Sequence, residues 1–404
     1  MKQRSPTQSA ASSISEYSDL PAPLLVCFSH LRWDFVWQRP QHLLSRAAKQ
    51  YRVIVVEEPV YKPSVTAHIS MSHRPGGITI ALPVLPEGLS EAEVVRAQRK
   101  LVDQLLAREP EAGRVFWYYT PMALAFTGHL ECDLCVYDNM DELSAFRGAS
   151  DELLKLEQKL FAKADLVFTG GMSLYEAKRG RHHSVYPFPS SIDFDHFSKA
   201  RRMAGPEPKD QADIPQPRLG FFGVIDERMD VGLVGAVAAL KPDWQFVMIG
   251  PVVKIDPATL PQRPNIHWIG GKSYAELPRY LSGWDVGLMP FALNEATRFI
   301  SPTKTPEFLA AGVPVVSTPI NDVVRPYGEK GFVEIARSPH EVVAKAEALL
   351  ARPKEPWLQR VDRHLAAGSW DKTWAAMHRL MSTAVDRPAA ARQALPTYAV
   401  SAAE

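Results

Sequence analysis

The stretch "ARRMAGPEPKDQADIPQP", residues 200–217, divides the sequence into two blocks. It is polar and rich in proline, and it offers almost no apolar side chains for a core to bury. At 404 residues the chain is too long for one ordinary hydrophobic core. We therefore expect a linker at this point, with a separate domain on each side of it.

Both blocks alternate short apolar runs with helical segments. The strand-like runs of the first block are "LLVCFS" (24–29), "YRVIVVEEP" (51–59), "RVFWYY" (114–119), "DLCVYD" (133–138) and "DLVFTG" (165–170). Those of the second block are "RLGFFG" (218–223), "WQFVMIG" (244–250), "NIHWIG" (265–270), "WDVGLMP" (284–290) and "VPVVST" (313–318). Strands that alternate with helices across short turns predict parallel sheets covered on both faces.

The predicted architecture is α/β, with two Rossmann-like domains facing one another across a cleft. They span residues 21–199 and 218–365. In open parallel sheets, ligands bind beyond the carboxyl ends of the strands. We therefore expect the functional residues in the loops that follow strands, on either side of the cleft.

The near-zero net charge excludes ligand attraction by the overall charge of the protein. The chain has 46 Lys+Arg against 45 Asp+Glu, a formal net charge of +1. Such a balance does not recruit nucleic acid or an anionic membrane, so any anion recognition must be local.

The cysteines and chain ends indicate a reducing, cytoplasmic setting. Cys27, Cys132 and Cys135 are the only cysteines, and the apolar run beside the last two predicts buried thiols rather than a metal site. Residues 1–20 lack the apolar core of a signal peptide and are expected to be disordered. The tail, 386–404, has no clear pattern, and no stretch is apolar enough to span a bilayer.

The segment "SPTKTPEFLAAGVPVVST", residues 301–318, predicts an anion site. Ser301 is the expected N-cap and Pro302 the first helical residue. Lys304 then lies in the first turn, where a cation is unfavourable unless an anion binds there. Glu307 follows on the same helical face, where its carboxylate can accept hydrogen bonds from a ribose diol. Together these residues predict a nucleoside diphosphate site.

Other strand-end loops of the second block belong to the same predicted site. The expected donor-binding residues are Gly223, Arg228, Gly250, Gly270, Ser301, Thr303, Lys304 and Glu307. Gly271-Lys272 follows directly after Gly270. The alternatives are an exposed ion pair between Lys304 and Glu307, and glycines that serve tight turns alone.

These motifs resemble those of the retaining GT-B glycosyltransferases often called group 1 or family 4. The resemblance lies in 301–318, in "YPFPSSIDFDHF" (186–197) and in "GSWDKTWAAMHRL" (368–380). The opening "FSHLRWDFVWQRPQHLLSR" (28–46) is similar to a subgroup associated with bacterial polysaccharide synthesis. The resemblance implies a C-terminal helix, 366–385, that crosses back to the first domain.

The resemblance also implies roles for individual residues. Glu307 matches the second glutamate of the family's Glu-x7-Glu motif, which holds the nucleotide ribose. Lys304 and Arg228 match positions that bind the diphosphate. Phe299 stands where the first glutamate is expected, and Glu295 lies too early for that position unless the loop bulges. No lysine after Arg228 matches the second member of the family's basic pair.

The first domain is expected to hold the acceptor. Trp33 and Trp37 are candidates to stack on sugar rings, while His30 and Arg39 are candidates to meet phosphate or hydroxyl groups. The alternative places Trp37 in the core and pairs Arg39 with an acid.

Acidic residues and glycines at two further strand ends of the first domain are also candidate site residues. Of Asp138, Asp141 and Glu142, one is expected to bind a sugar hydroxyl and two to be structural. Gly170 and Gly171 permit either close approach of a ligand or a plain tight turn. The predicted catalytic residues are Arg228, Lys304, Asp141 and His30.

The predicted reaction is transfer of a sugar from a nucleotide-diphosphate donor to a glycan or lipid-linked saccharide acceptor. The resemblance implies retention, and the cations remove the need for a metal ion or other cofactor. The sequence does not decide whether the protein contacts the inner face of the membrane peripherally. The alternative functions are a nucleotide-sugar 2-epimerase, a dinucleotide-dependent dehydrogenase, and a non-catalytic protein that binds a glycan or partner. Against the dehydrogenase, this sequence has no GxGxxG loop after any predicted strand.

Overall fold

The computed structural model describes residues 22–109 and 113–386. The predicted disordered segment, 1–20, lies outside the described residues. So does the predicted tail, 386–404, apart from its first residue.

The first sheet has nine strands. They are β1 (Leu24–Phe28), β2 (Arg52–Val56), β3 (Val60–Lys62), β4 (His68–Arg74), β5 (Ile78–Pro86), β6 (Arg114–Tyr118), β7 (Leu134–Asn139), β8 (Leu166–Thr169) and β9 (Val185–Pro187). Their order is β3-β5-β2-β1-β6-β7-β8-β9, and β4 pairs with β5 in the one antiparallel ladder of the described sheet. Because β1 is buried on both faces, its sequence is a continuous apolar run rather than an alternating one.

Helices cover both faces of this sheet and connect it to the second domain. They are α1 (Arg39–Ala47), α2 (Glu91–Leu106), α3 (Leu124–Thr127), α4 (Asp151–Lys163), α5 (Met172–Lys178), α6 (Phe194–Phe197) and α7 (Lys209–Ala212). The Ser150 hydroxyl caps α4 by accepting a hydrogen bond from the Leu153 amide, as the sequence predicts.

The second sheet is parallel throughout its six strands. They are β10 (Arg218–Phe222), β11 (Gln245–Ile249), β12 (Ile266–Trp268), β13 (Val286–Met289), β14 (Val315–Ser317) and β15 (Val333–Ile335), in the order β12-β11-β10-β13-β14-β15. The helices around it are α8 (Val231–Leu240), α9 (Leu277–Leu281), α10 (Lys304–Ala310), α11 (Asn321–Val323), α12 (Pro339–Ala351) and α13 (Lys354–Leu365). The predicted α/β architecture with two facing Rossmann-like domains is confirmed.

The stretch 200–217 packs against the second domain. Ile214 belongs to its core, and Gln211 is fully buried. The Trp284 indole N–H donates to the Gln211 side-chain oxygen at 2.8 Å, and the Gln211 amide donates to the Tyr280 carbonyl at 3.1 Å. Within this stretch only Ala200, Gln211 and Ile214 are buried, and its role as a linker between the domains stays a prediction.

The final described helix, α14 (Trp370–Val385), returns to the first domain. Trp370 is fully buried in the core that contains β1, and its ring stacks on His42 of α1 at 4.6 Å between ring centroids. The Trp374 indole N–H donates to Gln50 at 2.8 Å. The helix thus ties the end of the described chain to the first domain, as the resemblance implied.

The cysteines are free thiols. Cys135 lies buried in β7, and Cys132 is half-buried just before that strand. The described part of the chain contains no helix that is long and apolar enough to cross a bilayer.

Candidate functional site

The cleft between the domains contains a cavity of about 550 Å³. The loop after β1 forms one wall, and the opposite wall comes from the loops after β10, β11 and β12 and from the start of α10. The predicted residues that line it are Trp33, Trp37, Gly223, Arg228, Gly250, Thr303, Lys304 and Glu307. A cavity of about 100 Å³ shares Arg228, Thr303 and Lys304 with it and adds Arg39, Asp141, Gly170 and Ser301. His30, Gly171 and Gly270 line neither cavity.

Lys304 crosses the floor of the cleft. Its side chain passes over Gly223, where an added Cβ would lie 2.1 Å from the lysine Cε, and its ammonium lies 5.7 Å from the centre of the Phe221 ring. Burial and the neighbouring Arg228 lower the pKa of Lys304 from 10.5 to about 8. Gly223 is therefore needed to make room for the lysine as well as to line the cavity.

The predicted start of this helix is wrong. Helix α10 begins at Lys304, with Thr303 rather than Ser301 in the N-cap position. Ser301 instead contacts the first domain, where its carbonyl accepts a hydrogen bond from the Ser190 hydroxyl at 2.5 Å. A single sequence does not reveal this contact between the domains.

Glu307 is buried, with 5% of its surface exposed. Burial raises the pKa of its carboxyl from 4.5 to about 8, against the opposing effect of Lys304. None of the ion pairs among the described residues joins Glu307 to Lys304, so the alternative of an exposed i,i+3 pair is wrong. An inward-facing carboxyl group in a cavity is instead suited to form hydrogen bonds with ligand hydroxyl groups.

Arg228 is held in place by Asp226, which the sequence analysis missed. The guanidinium donates to both oxygens of that carboxylate, at 2.7 to 3.2 Å. Its carbon also lies 5.6 Å from the centre of the Phe146 ring, which belongs to the first domain. The charge of Arg228 is thereby fixed at the boundary of the two cavities.

The remaining glycines of the second domain differ in position. Gly250 packs directly on the Gly223 carbonyl, which an added Cβ would approach to 1.8 Å. Gly270 is an exposed turn residue with φ +70° and no heavy atom near its Cβ position. Gly271 lines the cavity and Gly270 does not, so the role of Gly270 in donor binding stays a prediction.

Among the three acids after β7, only Asp141 reaches the site. Asp138 forms a buried ion pair with Arg39 at 2.8 Å, and Glu142 pairs with Lys178 at 2.7 Å. Burial raises the pKa of Asp141, while Arg228 and Arg39 oppose that shift. Asp138 and Glu142 are therefore the two structural acids, and the expected contact of Asp141 with a sugar hydroxyl stays a prediction.

His30 lies beside the site rather than in it. The Nδ1 atom of its ring is buried and has no hydrogen-bond partner among the described residues. Burial, followed by the charge of Lys254, lowers the pKa of His30 to about 4. The imidazole is therefore neutral at pH 7, and its catalytic role stays a prediction.

The two tryptophans after β1, both candidates to stack on a sugar, differ in exposure. Trp33 is buried in the core of the first domain, whereas Trp37 is 40% exposed. The Trp37 ring stacks on Tyr274 of the second domain, with ring centroids 5.5 Å apart. The alternative that Trp37 is core is wrong, while the alternative that Arg39 pairs with an acid is confirmed. Arg39 borders the smaller cavity with its hydrogen-bond donors already engaged.

The two glycines after β8 serve contacts within the protein. A Cβ on Gly170 would lie 2.3 Å from the Met140 carbonyl oxygen. A Cβ on Gly171 would lie 2.2 Å from Asp322 and 2.9 Å from Ser301, both in the second domain. These protein contacts explain why no side chain fits at Gly171, and its role as an acceptor contact stays a prediction.

We expect Gly171→Ala to destabilise the folded protein by about 1–2 kcal/mol, because the methyl group would push Asp322 and Ser301 away. Urea denaturation of the full chain measures the loss. The matched control is Gly180→Ala, because nothing lies within 4 Å of a Cβ added there. Equal stability of the two variants would contradict the close contact at Gly171.

One further residue of the site, Tyr274, was missed, and so was Lys254, which lines neither cavity. Tyr274 lines the larger cavity, and its hydroxyl is buried without a hydrogen-bond partner among the described residues. Lys254 follows β11 in the left-handed region, with φ +61°, and its ammonium lies 5.2 Å from the centre of the Phe146 ring. The sequence signal was present, since both residues lie in loops that follow strands.

The loop before α10 does not replace the missing first glutamate. Glu295 is exposed, pairs with Arg298 at 3.5 Å and lines neither cavity. Phe299 is half-buried. The described site therefore contains one glutamate on this wall, Glu307.

Sequence comparisons agree with this geometry. Residues 216–352 match the family described as glycosyl transferases, group 1. The chain is also 27% identical, over 293 residues, to a Bacillus subtilis protein described as a teichuronic acid biosynthesis glycosyltransferase. That match covers 66% of this chain and 71% of the relative.

Solved structures share the fold along most of the chain. A sucrose-phosphate synthase from Thermosynechococcus elongatus is similar with a TM-score of 0.69 and 13% identity, covering 89% of this chain and 98% of its own. A trehalose-phosphate synthase from Burkholderia vietnamiensis is similar with a TM-score of 0.64 and 16% identity. The match covers 90% of this chain and 99% of that protein. The Anabaena protein HepE, in complex with UDP and glucose, is similar with a TM-score of 0.62 and 11% identity. The match covers 89% of this chain and 100% of HepE.

The two facing Rossmann-like domains, the charged cleft and the returning helix define a glycosyltransferase of the GT-B fold. Residues 216–352 match the group 1 glycosyltransferase model, and the similarity to the Bacillus glycosyltransferase supports a transferase enzyme. The rival interpretations as a 2-epimerase, a dehydrogenase or a non-catalytic binding protein are not favoured.

Proposed function

We propose that this enzyme transfers a sugar from a nucleoside diphosphate donor to a hydroxyl group of a glycan or lipid-linked saccharide, with retention and without a metal ion. The observation that carries the proposal is the convergence of Lys304, Arg228 and Glu307 on one interdomain cavity of about 550 Å³. The description of the Bacillus relative supports bacterial polysaccharide synthesis as the setting. The cytoplasm, with peripheral contact at the inner face of the membrane, remains the predicted location.

The charges suit one orientation of the donor. The buried Glu307 carboxylate accepts hydrogen bonds from the ribose diol. Lys304, one helical turn earlier, and Arg228 then face the diphosphate. The transferred sugar extends towards Asp141, where the smaller cavity borders the first domain. The acceptor approaches from that domain, beside the exposed Trp37.

The chemistry follows from this orientation. The bond between the anomeric carbon and the diphosphate oxygen breaks, and negative charge builds on the leaving diphosphate. Lys304 and Arg228 are fixed before the reaction, so they stabilise that charge without reorganisation. The acceptor oxygen forms the new bond on the same face of the sugar, and its proton passes to the leaving phosphate. No separate general base is required.

A nucleotide panel tests the donor site. We expect one of UDP, ADP, GDP and dTDP to raise the unfolding temperature of the full chain, because a ligand that binds only the folded state stabilises it by mass action. The corresponding nucleosides, which lack the diphosphate, are expected to give a much smaller shift. Calorimetry on the best nucleotide then measures its affinity.

Turnover separates a transferase from a binding protein. The enzyme should release nucleotide from a sugar nucleotide slowly when no acceptor is present, and faster when a saccharide acceptor is added. A folded protein that binds none of the four nucleoside diphosphates would overturn the proposed function.

A further inference from the structure

A cavity of about 870 Å³ lies in the first domain, outside the cleft between the domains. Ser29, Glu57 and Thr120 line it, and they follow β1, β2 and β6, which are neighbours in the sheet. Helices α2, α3 and α4 contribute to its other walls. The chain places β2 on one side of β1 and β6 on the other. The cavity therefore lies at the switch point of this sheet, where open parallel sheets bind ligands.

The cavity is separate from the cleft but adjacent to it. None of the described residues lines both this cavity and a cavity of the cleft. Glu57 lies at the boundary, since its carboxylate accepts hydrogen bonds from the Trp33 amide at 2.7 Å and from Arg32 at 3.1 Å. Trp33 lines the cleft on the other side of this contact. The cavity thus borders the wall of the cleft that the first domain forms.

Two buried polar side chains of the cavity indicate a polar ligand. Gln98 of α2 is only 7% exposed, and its side chain has no hydrogen-bond partner among residues 22–109 and 113–386. A buried amide without a partner is unfavourable, and a ligand that supplies hydrogen bonds would remove that cost. Thr120 is also buried, and its hydroxyl accepts a hydrogen bond from the Met122 amide at 3.3 Å. Its O–H remains able to donate to a ligand.

The charges of the lining restrict the class of ligand. Four glutamates line the cavity, Glu57, Glu58, Glu91 and Glu152, whereas none of the described lining residues is a lysine, an arginine or a histidine. Carboxylates accept hydrogen bonds from hydroxyl groups. The same carboxylates repel a phosphate or another anion, because no cation of the lining offsets them. The lining therefore favours a ligand that is rich in hydroxyl groups and carries no negative charge.

Apolar surface completes the lining. Tyr61 and Met122 are large side chains that remain exposed, and Phe126 is half-buried beside them. An exposed aromatic ring can pack against the C–H face of a sugar ring while amide and carboxylate groups meet its hydroxyl edge. A hydrocarbon chain in the same cavity would leave the Gln98 amide without a partner. The combination is suited to a saccharide.

We propose that this cavity is a second saccharide site, which binds an uncharged stretch of the acceptor glycan remote from the sugar unit that receives the transferred group. This inference rests on the proposed function and narrows its acceptor. The acceptor is then a glycan long enough to extend from the cleft past Glu57 into the cavity. A lipid phosphate does not suit this lining.

An oligosaccharide array tests the site with the full chain. The array carries neutral oligosaccharides and others with carboxylate or phosphate groups, from disaccharides to hexasaccharides. We expect the unaltered protein to bind neutral members in preference to anionic ones. Calorimetry with the best neutral ligand should show an affinity about fivefold lower in Gln98→Leu, the usual loss for one hydrogen bond. Ala92→Trp should abolish binding, because Ala92 is an exposed residue of the lining and the larger ring would fill the cavity.

Two controls locate the binding in the cavity. Gln104→Leu removes the same amide from an exposed position of α2 that does not line the cavity, and it should leave the affinity unchanged. Trp37→Ala alters the cleft alone and should also leave this affinity unchanged. The inference is overturned if no neutral oligosaccharide binds, if anionic members bind equally well, or if Gln98→Leu and Ala92→Trp bind as the unaltered protein does.

Nucleotide binding keeps the two proposals distinct. If the unaltered protein binds a nucleoside diphosphate while the cavity variants bind the saccharide normally, only the role of the cavity is wrong. If it binds no nucleoside diphosphate, the proposed function fails. A loss of saccharide binding in the cavity variants would then still establish the saccharide site, but not its part in sugar transfer.

Discussion

Lys304→Met is expected to lower turnover about a hundredfold or more while leaving the folded protein as stable as before or slightly more stable. The methionine keeps the apolar stem that passes over Gly223 and lies near Phe221. It removes the charge that faces the leaving diphosphate, and the loss of one such fixed group typically lowers turnover by this factor. Steady-state kinetics with the sugar nucleotide, together with urea denaturation of the same preparation, measure both effects.

The difference in stability between Lys304→Met and the unaltered protein is expected to depend on pH. In the unfolded chain Lys304 holds its proton up to pH 10.5, whereas in the folded protein it loses it near pH 8. Between these values the unfolded state binds more protons, so this group makes the unaltered protein more stable as the pH rises. The advantage of Lys304→Met should therefore be greatest below pH 8 and disappear above pH 10.5. A destabilised variant with near-normal turnover would contradict the role of Lys304.

The sequence predicts most of the parallel strands of both sheets because each is a buried apolar run between turn signals. It failed for β3, β4, β5, β9 and β15. Strand β4 lies at an edge and is largely exposed, so it carries no continuous apolar run. The Pro75-Gly76-Gly77 turn between β4 and β5, with both glycines at positive φ, was the available hairpin signal.

The candidate site was predicted where one element carries several of its residues. Lys304 and Glu307 lie on a single short helix, so their spacing alone places them on one wall. Arg39 and Asp138 are 99 positions apart, and only the assembled domain shows that they neutralise one another. Gly171 was similarly ambiguous, since the atoms beside it belong to the other domain. Contacts between the domains decide these cases, and they leave little trace in local sequence.

The same reason explains why Lys254 and Tyr274 were missed. Each follows a predicted strand of the second domain, but its significance comes from a ring of the first domain. Phe146 lies against Lys254, and Trp37 stacks on Tyr274. The nucleotide wall of the cleft is therefore largely predictable, whereas the wall shared between the domains is not.

Above pH 8, where the Glu307 carboxyl is ionised, Glu307→Gln is expected to weaken nucleoside diphosphate binding by about 1.5–3 kcal/mol, the usual loss for a hydrogen bond to a charged group. Glutamine has nearly the same volume, and the carboxylate of Glu307 makes no side-chain hydrogen bond among the described residues. Its removal should therefore leave the free energy of unfolding unchanged or raise it, because a buried carboxyl is unfavourable without a partner. Calorimetry measures the affinity, and urea denaturation checks the stability.

A ligand that lacks the diol shows whether the loss arises at the ribose. The unaltered protein should bind the 2′,3′-dideoxy nucleotide about as weakly as Glu307→Gln binds the normal one. The variant should bind both nucleotides alike, because the group that distinguishes them is gone. This pairing of a protein change with a ligand change isolates one contact from all the others. If the dideoxy nucleotide lost further affinity in Glu307→Gln, carboxylate and diol would be acting independently, and Glu307 would not hold the ribose.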